Sequence, residues 1–191
     1  MNNKNASWSA DTQKDASWAA DTQKARAQAL EPFDAYLSRN AEQATEAMVL
    51  AIKGKRGHAE EAEGTPLSGR DGAALASAFE RLEWNERDWC GAVLSPREAP
   101  LLTGECLRLF IEVLDPMIVV TLDEEARKEV IQALGREAER ADGLRKTIEI
   151  QGRLLVNVDG FEAALDSEID KQHVWQQLKQ ASRAEVLKRF K

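Results

Sequence analysis

Apolar residues recur at helical spacing from Pro32 onward: Phe33, Tyr36, Leu37, Ala41, Ala44, Met48, Ala51 and Ile52. Such a stripe predicts an amphipathic helix. Glu31-Pro32 sets its start, because the residue before a proline avoids the helical region while proline suits a first turn. Ala74, Leu75, Ala78, Phe79 and Leu82 predict a second buried helical face, opened by Ser68-Gly-Arg-Asp71. Asn85 is placed to cap a short helix carrying Trp89, Val93 and Leu94. Ser95-Pro96-Arg97-Glu98 reads as a capping box with proline at the first helical position. Thr103 then starts a helix with Cys106, Leu107, Phe110, Ile111 and Leu114 on one side.

After Asp115-Pro116 the pattern changes. Residues 117–121 begin an apolar, β-branched run that suits a buried strand. Thr121-Leu-Asp-Glu124 predicts the start of a long helix through Val130, Ile131, Leu134, Ala138 and Ala141. Ile148/Ile150 and Leu154/Val156/Val158 alternate around Gln151-Gly152, a hairpin pattern within 147–158. The competing reading continues a helix through Leu144, Ile148 and Leu155, with Gly143 and Gly152 inside it at about 1 kcal/mol each. The remainder reads as helix: Phe161, Ala164, Leu165, Ile169, then Val174, Trp175, Leu178, then a Ser182-to-Glu185 box. Together these elements predict a mainly α protein, a helical core with a small β element near 117–121 and 147–158. A single domain over 31–191 is expected, with an exposed Gly-rich loop at 53–69 and a separate N-terminal segment, 1–30.

That N-terminal segment says nearly the same ten residues twice, "NASWSADTQK" and "DASWAADTQK". Its Ala, Gln and Lys content permits a helix. A ten-residue shift leaves Trp8 and Trp18 about 80° apart around a helix, which argues against one continuous packed stripe. Two readings remain: a duplication tolerated near a chain end, or a duplicated motif in which each tryptophan anchors on a partner. Trp84 and Trp89, among three acids in "LEWNERDWC", are further anchor candidates.

Composition narrows the chemistry. The chain has 191 residues, 43% hydrophobic and 31% charged, in the range of globular proteins, and no apolar run of membrane-spanning length. No secretory h-region opens it, and two widely separated cysteines, Cys90 and Cys106, fit a reducing compartment, so a cytoplasmic location is expected. The net charge of −7 is uneven: residues 112–170 are strongly acidic, while 171–191 carry six bases and one acid. That balance disfavours a nucleic-acid grip except through 171–191.

Catalytic signatures are sparse. No phosphate loop, dinucleotide fingerprint or Gly-x-Ser-x-Gly elbow occurs. His173 follows Asp170 by three residues, but the second Glu-x-x-His of a di-iron bundle is missing, and no zinc-type Cys/His spacing appears. Cys106, beside Leu107 and Phe110, reads as a buried small hydrophobe, with a pairing to His173 the only thiol–imidazole option. No catalytic residue, metal site or cofactor is therefore nominated. The expectation is a non-enzymatic protein–protein interaction module (an adaptor, an inhibitor or immunity-type protein, or a chaperone) with an acidic surface, Trp anchors and scope for self-association. Two alternatives stand beside it: a regulator touching nucleic acid through the basic tail, and an enzyme with a carboxylate/Arg site around Arg127 and Arg153.

Overall fold

The computed structural model describes residues 5–135, 138, 147–158 and 160–183, with side chains given outside 5–17, 58, 59 and 63. It corrects the mainly α expectation: the chain is an α/β protein built on a five-stranded sheet of order β2-β1-β3-β5-β4. The strands are β1 (Val49–Lys53), β2 (Trp89–Val93), β3 (Ile118–Thr121), β4 (Thr147–Ile150) and β5 (Arg153–Asn157). Four run parallel, and only β4, at one edge, is antiparallel to its neighbour.

Two of these strands sit where helices are predicted. The stripe from Phe33 to Ile52 divides into a 3₁₀ turn (Glu31–Tyr36), a one-turn helix α2 (Ala41–Ala44) and β1. The helix expected after Asn85 is a single 3₁₀ turn, Glu86–Asp88, followed directly by β2. No helix follows Ser95, where the chain runs irregularly to Pro100. The physical cause is burial on both faces. Every residue of β1 is buried, and so is β2 after Trp89, so neither strand carries the alternation that marks a half-exposed strand.

The remaining predicted strands are present. β3 begins one residue after Met117, and β4–β5 form the hairpin, with Gln151 and Gly152 both at positive φ in the turn. The competing helix is overturned at Ile148 and Leu155, which pair across β4 and β5, while Ala141, Gly143 and Leu144 lie outside the described residues.

Helices cover both faces of the sheet. On one lie α1 (Asn5–Leu30), α5 (Gly104–Leu114) and α6 (Glu124–Leu134), packed on Leu50, Ile52, Cys90, Ala92, Val119 and Leu155. On the other lie α4 (Arg70–Arg81), α7 (Phe161–Ala164) and α8 (Glu168–Arg183), packed on Val49, Ala51, Ile118, Val120, Leu154 and Val156. The alternate residues of each strand thus serve the two cores, as the two-residue period of a strand requires. Among the side chains described, α1 is held on its face near its end: Leu30 is fully buried, and Arg26 donates to the Val113 and Leu114 carbonyls at 3.3 and 2.5 Å. The 53–69 segment, expected to be an exposed loop, contains the short helix α3 (His58–Glu63) and turns Lys53, Glu60 and Leu67 inward.

Among the described residues no helix is long and apolar enough to cross a membrane.

Candidate ligand-binding cleft at the carboxyl edge of the sheet

Beyond β1 and the short α3, helix α4 packs on one face, while the helix following the adjacent β3, α6, packs on the other. Two chains that part in this way leave a crevice between them at the carboxyl ends of their strands. A cavity of about 530 Å³ occupies that position. Lys53 at the end of β1, Leu122 and Asp123 just after β3, and Gly160-Phe161 after β5 line it.

Asp123 ties the two sides together. Its Oδ1 accepts from the Ala126 N–H at 2.7 Å as the N-cap of α6, and its Oδ2 accepts from the Gly54 N–H at 2.8 Å. Position 54 has to be glycine for this closure. A Cβ there would lie 2.6 Å from Glu125 Cβ and 2.9 Å from the Ala126 backbone nitrogen, closer than real contacts allow.

Lys53 points into a pocket of carboxylates. Its Nζ is 2.5 Å from Asp71, 3.0 Å from Glu60 and 3.4 Å from Glu162. Glu60 also accepts from the Gly57 and Leu67 N–H groups, so one buried carboxylate fastens both ends of the 54–67 excursion. Burial alone would lower the Lys53 pKa, but the hydrogen bonds and charges of Asp71 and Glu60 outweigh it and raise the ammonium above its ordinary value. Lys53 therefore stays charged at neutral pH, and its chemistry is that of a fixed cation rather than an amine nucleophile.

At the mouth, Lys128 pairs with Glu124 at 2.6 Å, which holds that carboxyl below its usual range, and Lys55 pairs with Glu125 at 3.3 Å. A second cavity, about 650 Å³, adjoins the first over the ends of β1 and β2, and Lys55 and Arg56 line both. The Nε and Nη1 atoms of Arg56 are shut off from solvent and have no hydrogen-bond partner, while Nη2 reaches the Gly64 carbonyl at 3.4 Å. Buried polar groups are nearly always paired; two atoms of this guanidinium are not, a condition shared by Arg153 Nε at the amino edge.

The tryptophans named above are spread across the molecule. Trp18 is 72% exposed on α1, and the side chain of Trp8 is outside those described. Trp84 is buried and Trp89 half-buried, both edge-on to Phe79 with centroids 5.0 and 5.3 Å away. They form core, with Arg39 over the Trp89 ring. Cys106 is exposed, not buried as its neighbours suggest, and lies on α5, across the sheet from His173 on α8. Burial pushes the other thiol, Cys90, up to about 11. His173 sits 3.9 Å from Asp170 on the solvated side of α8. Arg127 and Arg153 are not brought together. Arg127 lies in the first turn of α6 at the carboxyl edge, and Arg153 opens β5 at the amino edge, 2.7 Å from Asp115. Among the described residues no group of three His, Cys, Asp or Glu side chains is arranged to hold a metal. The basic stretch 171–191 is described only to Arg183.

Lys53, Arg56 and Asp123 were missed by the sequence reading. The available signal was Lys53-Gly-Lys-Arg-Gly57 immediately after Val49-Leu-Ala-Ile, a strand-like run emptying into a basic, glycine-rich turn. Compared with models of known protein families and with curated proteins, the chain matches none.

Proposed function

We propose that this protein binds a small-molecule ligand in the cleft between the ends of β1 and β3. The observation that carries the reading is the cavity at the point where the connections of two adjacent parallel strands part to opposite faces. Walls fixed by Asp123 and by the Lys53 cluster make it a preformed site, and Phe161 offers an aromatic surface within it. Because Lys53 is held as a cation and Cys90 is neutral and enclosed, the reading is of a binder or sensor. A thermal-shift screen of small molecules against the wild type and Glu124→Trp tests it. Glu124 lies exposed at the mouth, so an indole there obstructs entry while leaving the core alone. Ligands that stabilise the wild type and not the variant support the reading; a ligand that stabilises both equally places binding elsewhere.

A second reading keeps the interaction module, an adaptor, inhibitor or chaperone, and is favoured by one observation: the large exposed indole of Trp18 midway along α1. Trp18→Ala would then abolish capture of a partner without changing stability. The two readings are compatible, with ligand at one edge and partner at the N-terminal helix. The two free cysteines suit the cytoplasm under either.

A further inference from the structure

The two adjoining cavities differ in charge. The first is lined by acids and bases in near balance, most already paired with one another. The second is lined by Lys55, Arg56, Glu61, Ser95, Pro96 and Arg97, three cations to one carboxylate, within a protein whose net charge is −7. With Lys55 shared with Glu125, Arg56 and Arg97 against Glu61 still leave this wall positive, which suits an anion, and the planar fork of N–H donors of a guanidinium suits phosphate. The Ser95 hydroxyl adds a further donor on the wall.

We infer that the ligand is a phosphorylated small molecule, with its phosphate in the second cavity on Arg56, flanked by Lys55 and Arg97, and its remaining body in the first cavity beside Phe161. This inference rests on the reading of the cleft as the working site. Lys55 and Arg56 belong to both cavities, so they stand where the two parts of such a ligand join. Entry of a phosphate gives the half-buried Arg56 guanidinium a charged acceptor in addition to the Gly64 carbonyl that its Nη2 reaches.

The test is calorimetric titration of the full chain with inorganic phosphate at low ionic strength. Expected is single-site binding that weakens about tenfold or more in Arg56→Gln, the loss of one charge-assisted hydrogen-bond pair. Arg97→Gln, a change at an exposed position, weakens it in the same direction and covers the case in which Arg56→Gln fails to fold. Arg153→Gln at the opposite edge leaves it unchanged. Affinity for inorganic phosphate also falls as pH is lowered through about 7, where the dianion takes up a proton and loses its second charge. No binding of phosphate to the wild type, equal binding by Arg56→Gln and Arg97→Gln, or binding unaffected by that pH change would each overturn the inference. So would a single-stranded oligonucleotide held in a way that phosphate does not displace. If phosphate fails while screened ligands still depend on an unobstructed mouth at Glu124, this inference falls and the cleft reading stands. If both fail, both fall.

Discussion

A charged lysine is tolerated inside this fold because two buried carboxylates face it, and the arrangement holds only as a set. Lys53→Met removes the cation and leaves Glu60 and Asp71 enclosed without it. Breaking a buried ion pair from one side costs about 3–5 kcal/mol, so a loss of that size is expected in urea denaturation at pH 7. The pH dependence follows from the raised lysine pKa. A cation stabilised by folding contributes fully below its unfolded pKa of about 10.4 and loses that contribution as pH rises through the higher folded value. The gap between wild type and variant should therefore stay level from neutrality to about pH 10 and narrow above it. Asp123 is the complementary case, a surface-edge residue with two backbone donors to satisfy. Asp123→Ala removes the cap of α6 and the anchor of Gly54 together, and a loss of about 1–2 kcal/mol is expected, at the upper end of the range for a lost cap. Recovery of that loss by Asp123→Asn, whose side-chain carbonyl can accept only part of the pair, should be incomplete.

At the scale of elements, what could be read from the sequence follows from how each element is buried. α5 and α6 present one face to the sheet and the other to solvent, so Leu107, Phe110, Ile111 and Val130, Ile131, Leu134 stand out at helical spacing. The β4–β5 hairpin was legible because a turn dipeptide separates two alternating runs. β1 and β2 were not, since a strand sandwiched between two helical layers is apolar on both sides, and Ala44, Met48, Ala51 and Ile52 fall by coincidence on helical spacing. Missing β1 also hid the cleft, because Lys53 and Arg56 acquire meaning only as the exit from a central strand. The N-terminal helix separates the two kinds of contact in one element. Arg26→Ala removes a guanidinium that closes the last carbonyls of α5 and should lower stability by about 1–2 kcal/mol, whereas Trp18→Ala, exposed on the same helix, should leave the denaturation midpoint unchanged. A large loss from Trp18→Ala would mean that the indole packs against this chain.

For the whole molecule, the sheet separates a carboxyl edge that carries the cleft from an amino edge that carries surface pairs such as Arg153–Asp115. A ligand in the cleft would meet residues from four segments distant in sequence: 53–56 after β1, Asp71 of α4, 122–128 after β3 and 160–162 after β5. Only the folded chain assembles these, so binding adds to stability by mass action, about 2.7 kcal/mol at a ligand concentration one hundred times Kd. The added protection should be local as well as global. Hydrogen exchange measured with and without a saturating ligand should slow most at Gly54–Gly57 and at the start of α6, whose amides lie at the mouth and are held by Glu60 and Asp123. Amides around Asp115 and at the start of β5, on the far edge of the same sheet, should slow only as much as global unfolding is suppressed. Under conditions where exchange proceeds by local opening they should not change. Uniform slowing of both edges under those conditions would mean that the ligand stiffens the sheet as a unit. Slowing confined to the middle of α1 would move the working surface to Trp18 and leave the cleft without a role in binding.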